Sequence, residues 1–407
     1  MLAGKYLNGY PLQSDSLHIP EGWNEWYSSV KGNPYSEYNY TLNENGQQVA
    51  YGNQPKDYGT DVYVGKAVDF IQRTAQAGKP FFVYLAPYAP HAPYVPAPRH
   101  VDLFPGAKAP TTSNYNEADV SDKPGYIKNR PLLTQKQIDS IDTAFRKRIQ
   151  SLQAVDEGIE AIVNALKANG QLDNTYIFFT SDNGYHLGNH RMVLGKIAPY
   201  EEELRVTMLV RGSGIPAGKT LDYIAGNVDL APTWAELAGA KAADFCDGRS
   251  LVPLLGNDPP PLSRWRQAFS LEWGPYQVDQ LSVQATEAAD TEGSEPQDQD
   301  ETEATALPPV QQKALNIPFF RGVRLQNLSY VEYNTGEIEL YDLQKDPYQL
   351  NNLASTADPK LLSQLAERVR QLATCKAASC WSVEDASFNL TGFITPPLTF
   401  ILSFPRS

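Results

Sequence analysis

The chain has 407 residues, 42% of them hydrophobic and 20% charged, and a net charge of −13. That length can bury a large core and suits two domains, and the composition excludes wholesale disorder. With no basic stripe to neutralise phosphates, the acidic balance excludes a nucleic-acid partner, and no run of about 18 apolar residues is present to span a bilayer.

The chain opens MLAGKYLNGY, with neither the charged start nor the apolar core of a signal peptide. Between Asp61 and Ala77 the apolar positions Val62, Val68, Ile71 and Ala75 predict a helix ended by Gly78-Lys79-Pro80. FFVYLA (81–86) follows as a continuous apolar strand of the kind a parallel sheet buries on both faces. A loop rich in Pro and Asn runs to about residue 133. From Ile138 to Leu166 apolar residues recur at three- and four-residue steps, predicting a long amphipathic helix closed by Gly170. TYIFFT (175–180) and VTMLVRG (206–212) are further strands, and 227–239 a further helix. Alternation of strand and helix implies an α/β domain with a mainly parallel sheet.

After Arg266 the character changes. Residues 286–305 are acidic and of low complexity, and a disordered insertion is expected over about 284–312. Strand-like stretches flank it at 267–273, 319–333 and 337–343, and the helix pattern of 359–374 follows. The expected division is therefore a domain over 1–262 and a smaller antiparallel sheet with one helix over 263–395. Cys375 and Cys380 close a short loop and could form a local disulfide, while Cys246 is expected to be small and buried. Sequons at Asn39, Asn327 and Asn389 fit a secreted glycoprotein. The apolar tail 393–404 is too short and too Pro-broken to anchor in a membrane.

In open α/β sheets ligands bind beyond the carboxyl ends of strands. His91 lies just past one strand, among Pro87, Pro90 and Pro93, and Asp182 and Asn183 lie just past another. A carboxylate beside an amide carbonyl supplies hard oxygens suited to Ca²⁺, or secondarily Mg²⁺. Lys5 and Lys196 could add fixed positive charge, so that together these groups clamp a tetrahedral anion while His91 moves a proton. Each has a plainer reading: Asp-Asn-Gly is a turn sequence, His91 a loop residue and both lysines solvated. His190 is taken as a further substrate contact, and His186 as a hydrogen-bonding residue of its loop.

The combination resembles the sulfatase family of the alkaline-phosphatase-like superfamily, in its arylsulfatase and N-acetylglucosamine-6-sulfatase branch. The carrying stretches are GKYLNGY (4–10), YLAPYAPHAPYVPAPRH (84–100), the composite 151–216 around TSDNGYHLGNHR, DGRSLVPLL (247–255) and ELYDLQKDPYQLNNLA (339–354). The resemblance implies a large mixed sheet between helices, plus a small four-stranded sheet packed on a helix. It implies hydrolysis of a sulfate ester, either a small molecule or a sulfated sugar, in a secreted or lysosome-like setting. Asp182 and Asn183 correspond to two of the family's ligands for Ca²⁺, and Lys5, His91 and Lys196 to its sulfate contacts, with His91 and Lys196 nearest the leaving oxygen.

Two parts of that pattern are missing. No Cys or Ser stands four residues before any arginine, so the formylglycine motif is absent, and so is the aspartate pair that completes the cation's ligands. Leu7 also replaces a histidine that many sulfatases carry two residues after the lysine. The expectations are a shortened form of an active sulfatase or, from a different class, a non-catalytic protein that binds sulfate or glycan. Loss of a central strand would bare sheet edges and apolar surface.

Overall fold

The computed structural model describes residues 1–7, 10–11, 17–274 and 317–388. The acidic insertion expected at 284–312, the Asn389 sequon and the tail 393–404 lie outside them. Contacts divide the chain into two units. One holds Met1–Ser121 and Gly125–Ile215; the other holds Asp122–Pro124, Pro216–Gly274 and the described part of Pro318–Ser407. The division thus falls at 215, whereas the sequence pattern divides the chain at 262.

In the first unit β1 (Leu2–Gly4) lies parallel to β2 (Trp26–Gly32) on one side. On its other side it lies parallel to β5 (Tyr84–Ala86). Beyond β2 the sheet continues antiparallel through β3 (Tyr40–Glu44) and β4 (Gln47–Ala50). Asn45 and Gly46, at φ 53° and 91°, form the two-residue hairpin turn that folds β4 back on β3. Because a hairpin can only be antiparallel, the sheet is mixed, as the resemblance implies, with its parallel pairs confined to β2, β1 and β5. A further antiparallel pair joins β6 (Ile177–Phe179) to β9 (Leu209–Arg211), where alternation with helices predicts parallel neighbours. Between them β7 (His186–Leu187) and β8 (Leu194–Gly195) form a small hairpin.

The apolar runs at 81–86, 175–180 and 206–212 predict strands buried on both faces. They form three-residue strands, with Phe82 46%, Tyr84 39%, Phe179 37% and Leu209 62% exposed. β5 is the last strand of its sheet, and among the described residues β6 pairs with β9 alone.

Two helices, Gly59–Gln76 and Gln135–Ala168, pack together in this unit. At Gly158 a Cβ would fall 2.5 Å from Val64 Cγ2, so the close approach depends on that glycine. Thr134 and Gln137 form a reciprocal capping box at the start of the longer helix. Gly170, at φ 65°, follows its end.

In the second unit β10 (Ala268–Trp273), β11 (Phe320–Leu325), β12 (Leu328–Tyr333) and β13 (Ile338–Asp342) form the expected antiparallel sheet in chain order. Helix Pro359–Thr374 lays Leu361, Leu365, Val369 and Leu372 against Val323, Leu325, Tyr330 and Leu340. That spacing of three and four residues is one helical face. Residues 216–274 belong with this sheet for a physical reason. The buried Arg266 guanidinium donates to Asp229 at 2.6 and 2.8 Å, and its Nε donates to Glu384 at 2.8 Å. Cys375 and Cys380 are joined as expected, whereas Cys246 is half-buried and free, beside the exposed Phe245.

Candidate functional site

Parallel neighbours end at the same edge, so β1 and β5 deliver Lys5 and the His91 loop side by side. The Lys5 N–H donates to Ala86 O at 2.8 Å. Gly4, at φ 111°, permits this approach, since a Cβ there would lie 1.9 Å from Ala86 O. His91 is half-buried. Its N–H donates to Tyr88 O at 2.8 Å, and its Nδ1 lies 2.9 Å from Ala92 O. A carbonyl only accepts, so Nδ1 carries the proton of the neutral ring and Nε2 is the basic nitrogen.

Both side chains meet at Tyr35. Its ring centroid is 4.2 Å from that of His91 and 4.8 Å from that of Tyr88, and Lys5 Nζ is 5.6 Å from it. Tyr35 sits in the 3₁₀ turn Pro34–Ser36, where Asn33 Oδ1 accepts from the Tyr35 N–H at 3.1 Å. Sequence reasoning missed this residue. The available signal was Asn33-Pro34, a turn dipeptide closing a strand.

Asp182 and Asn183 lie just past β6. Asp182 is exposed, and its Oδ1 accepts from Asn183 N at 2.9 Å and Ser181 Oγ at 3.5 Å. Asn183 Nδ2 donates to Gly184 O at 2.7 Å. Burial first, and then the Asp182 charge, push the Tyr84 phenol up, so this carboxylate stands in electrostatic reach of β5. The Tyr94 and Tyr185 hydroxyls are 2.9 Å apart, and the Arg148 guanidinium lies 4.0 Å over the Tyr185 ring. Ala92, Tyr94, Tyr185, Leu187 and Leu194 share one apolar cluster. The loop bearing His91 therefore packs against the segment that carries Asp182, Asn183 and Lys196. Lys196 follows β8 directly and is half-buried.

The other two histidines of this segment are interior. His190 is fully buried at φ 50°, with Nδ1 2.6 Å from Glu117 Oε2, Nε2 3.2 Å from Asn114 Nδ2 and its ring stacked 4.1 Å from Tyr200. A ring sealed in this way has no face for a ligand, so the predicted substrate contact does not fit its surroundings. His186 is also fully buried, with Nδ1 2.7 Å from Glu203 Oε1. This agrees with its reading as a hydrogen-bonding loop residue. Burial raises the Glu203 carboxyl above its ordinary range, against the lowering influence of His186.

Asp182 and Asn183 supply two or three hard side-chain oxygens, where Ca²⁺ takes about six to eight. Among the described residues no group of three or more His, Cys, Asp or Glu could hold a metal ion. The pair fits one part of an oxygen shell and not a whole one. Among the described residues no helix is long and apolar enough to cross a membrane.

Comparison with known proteins gives the geometry a family. The chain is 35% identical to N-acetylglucosamine-6-sulfatase of Capra hircus, over 93% of its own length and 66% of the goat protein. It is 34% identical to an arylsulfatase of Chlamydomonas reinhardtii, over 93% of this chain and 60% of that one. It thus spans just under two thirds of the first relative's length. The fold matches a solved structure in complex with its substrate D-glucosamine-2-N,6-O-disulfate, at TM-score 0.69 and 22% identity, over 91% of this chain and 78% of that one. The Sulfatase family model matches residues 8–240, and the chain belongs to the sulfatase family.

Proposed function

We propose that this chain carries the oxyanion-holding part of a sulfuric ester hydrolase site and accepts a sulfate ester, a sulfated sugar among the candidates. Lys5, His91 and Lys196 are its anion contacts. The observation that carries this reading is the junction at Tyr35, where Lys5 and His91 reach one ring from the ends of adjacent parallel strands. Lys5 and Lys196 would hold sulfate oxygens as fixed cations. His91, protonated at Nε2 as well, would give that proton to the departing ester oxygen. Asp182 and Asn183 would hold part of a Ca²⁺ ion's shell, and the ion would supply added positive charge against the sulfate oxygens.

Turnover also needs an attacking oxygen. None of the 407 residues offers the family's motif for one, so we read this polypeptide as one that binds a sulfate ester and does not turn it over by itself. The same absence of a nucleophile favours a second reading, a non-catalytic protein that binds sulfate or glycan. The disulfide and the exposed Asn39 sequon support a secretory or lysosome-like compartment.

The test is calorimetric titration of the full chain with sulfate in the presence of Ca²⁺, beside an aryl sulfate assay. Saturable sulfate binding with no hydrolysis is expected. Measurable hydrolysis would overturn the reading of the nucleophile, and absence of sulfate binding would overturn the assignment of the site.

A further inference from the structure

Lys196 is reached through a segment folded around one buried carboxylate. The Gly184 N–H donates to Glu203 O at 2.8 Å and the Tyr185 N–H to Glu202 O at 2.7 Å. Only glycine fits at 184, because a Cβ would fall 2.1 Å from Glu202 O. Two residues on, His186 turns inward and its Nδ1 meets Glu203 Oε1 at 2.7 Å. His186 is paired in register with Gly195, the residue before Lys196. Beyond Lys196 the chain returns to the same carboxylate, since the Ala198 N–H lies close enough to favour its ionised form.

Ile197, between them, has φ 96°. A β-branched side chain rarely adopts that region, and such a residue persists only where its surroundings hold it there. Among the described residues Glu203 Oε2 and His186 Nε2 are buried without a hydrogen-bond partner, so the side-chain contact that joins the two residues is the one between Nδ1 and Oε1.

We propose that Glu203, acting through His186, is a positioning residue that sets the direction in which Lys196 presents its amine beside the Asp182–Asn183 loop. The main chain of Glu203 holds Gly184, next to Asn183, while its side chain holds the turn around Lys196. One residue therefore ties the expected cation loop to the expected anion contact. The functional consequence rests on the reading of Lys196 as an oxyanion contact; the positional claim does not.

The test separates the two. Full-length wild type, Glu203→Ala, His186→Ala and Glu203→Gln are trace-labelled with acetic anhydride, and acetylation of Lys196 is followed by peptide mass spectrometry against the exposed Lys136. In Glu203→Ala the relative rate at Lys196 is expected to change by about threefold or more, since the amine leaves its held orientation, with Glu203→Gln close to wild type because its amide oxygen still accepts from His186. Titration with inorganic sulfate is run alongside. Glu203→Ala should weaken binding about tenfold, and Glu203→Ala combined with Lys196→Ala no more than Lys196→Ala alone, a non-additivity that general destabilisation does not produce. If Glu203→Ala does not fold, His186→Ala carries the same expectation. Unchanged Lys196 labelling in a folded Glu203→Ala or His186→Ala protein overturns the proposal. Failure of wild type to bind sulfate instead overturns the sulfatase reading and leaves the labelling result to judge the positional claim.

Discussion

The strand-end side of the site, around Lys5, His91 and Tyr35, and the interior side, around His186 and His190, use the same residue types under opposite conditions. His186 and His190 are fully buried, and each has a glutamate within hydrogen-bond distance, at 2.7 and 2.6 Å. His91 is half-buried and set against a backbone carbonyl and a tyrosine ring, and Lys5 reaches the same ring. The difference follows from what each must do. A buried imidazole needs a lasting partner, because an unpaired polar group in the interior costs stability. On the proposed reading, Lys5 and His91 are anion contacts steadied beside one tyrosine ring.

The interior side should break hardest. Glu117→Ala leaves the His190 ring buried beside an empty acceptor position, and loss of one member of a buried pair costs about 3–5 kcal/mol. Lys5→Ala, at a half-buried strand end, should change folding stability by no more than about 0.5 kcal/mol. Urea denaturation of both variants checks the contrast. Equal losses would abolish the distinction between the two sides.

Glu37 sharpens the comparison, because it is a sealed carboxyl two residues from the open Tyr35. Its Oε2 accepts from Thr60 N at 2.7 Å and Thr60 Oγ1 at 3.1 Å, capping helix Gly59–Gln76, while Oε1 is buried without a partner. Burial outweighs these bonds and pushes the carboxyl up to about 7. Its folded value lies above the unfolded one, so the folded state binds the extra proton between about pH 4.5 and 7. Stability from this group is present in full below that window and is lost as pH rises through it. The shift corresponds to a contribution of about 3 kcal/mol, and a lysosome-like pH favours the fold. Denaturation of wild type and Glu37→Gln at pH 5 and 8 should show the wild type losing that much more than the variant. Parallel losses would contradict the burial argument.

The fold and the site were legible in the sequence to different depths. The long helix was readable because Ile138 to Leu166 keep one period throughout and Gly170 stops it. The C-terminal sheet and helix were readable for the same reason. β2, β3 and β4 carry no continuous apolar run, since WYSSVKG and YTLNE mix apolar and polar residues, and the sequence mark of their hairpin is the turn dipeptide Asn45-Gly46. Asp182, Asn183 and His91 were legible as strand-tip residues, since a strand end is marked locally. The burial of His190 was not, because Glu117, Asn114 and Tyr200 come from separate segments that only the folded chain assembles. Tyr35 was hidden likewise: what singles it out is its neighbours, and those arrive from residues 5 and 91.

The smallest effects probe the open side itself. Lys5→Ala and Lys196→Ala should each weaken sulfate binding about tenfold, the loss of roughly one charge-assisted contact, at nearly unchanged melting temperature. Tyr35 acts one step behind them. Its ring meets Lys5 Nζ at 5.6 Å and the His91 ring at 4.2 Å, and an exposed cation–π contact contributes about 0.5–1 kcal/mol. Tyr35→Ala should therefore weaken sulfate binding roughly threefold, whereas Tyr35→Phe keeps the ring and should stay near wild type. Combined with Lys5→Ala, the Tyr35→Ala loss should shrink, because the ring then has no ammonium to steady. Full additivity would mean that Tyr35 meets the anion through its own hydroxyl, and Tyr35→Phe would then fall with Tyr35→Ala. The phenylalanine variant thus decides whether the open side is built on the ring or on its oxygen.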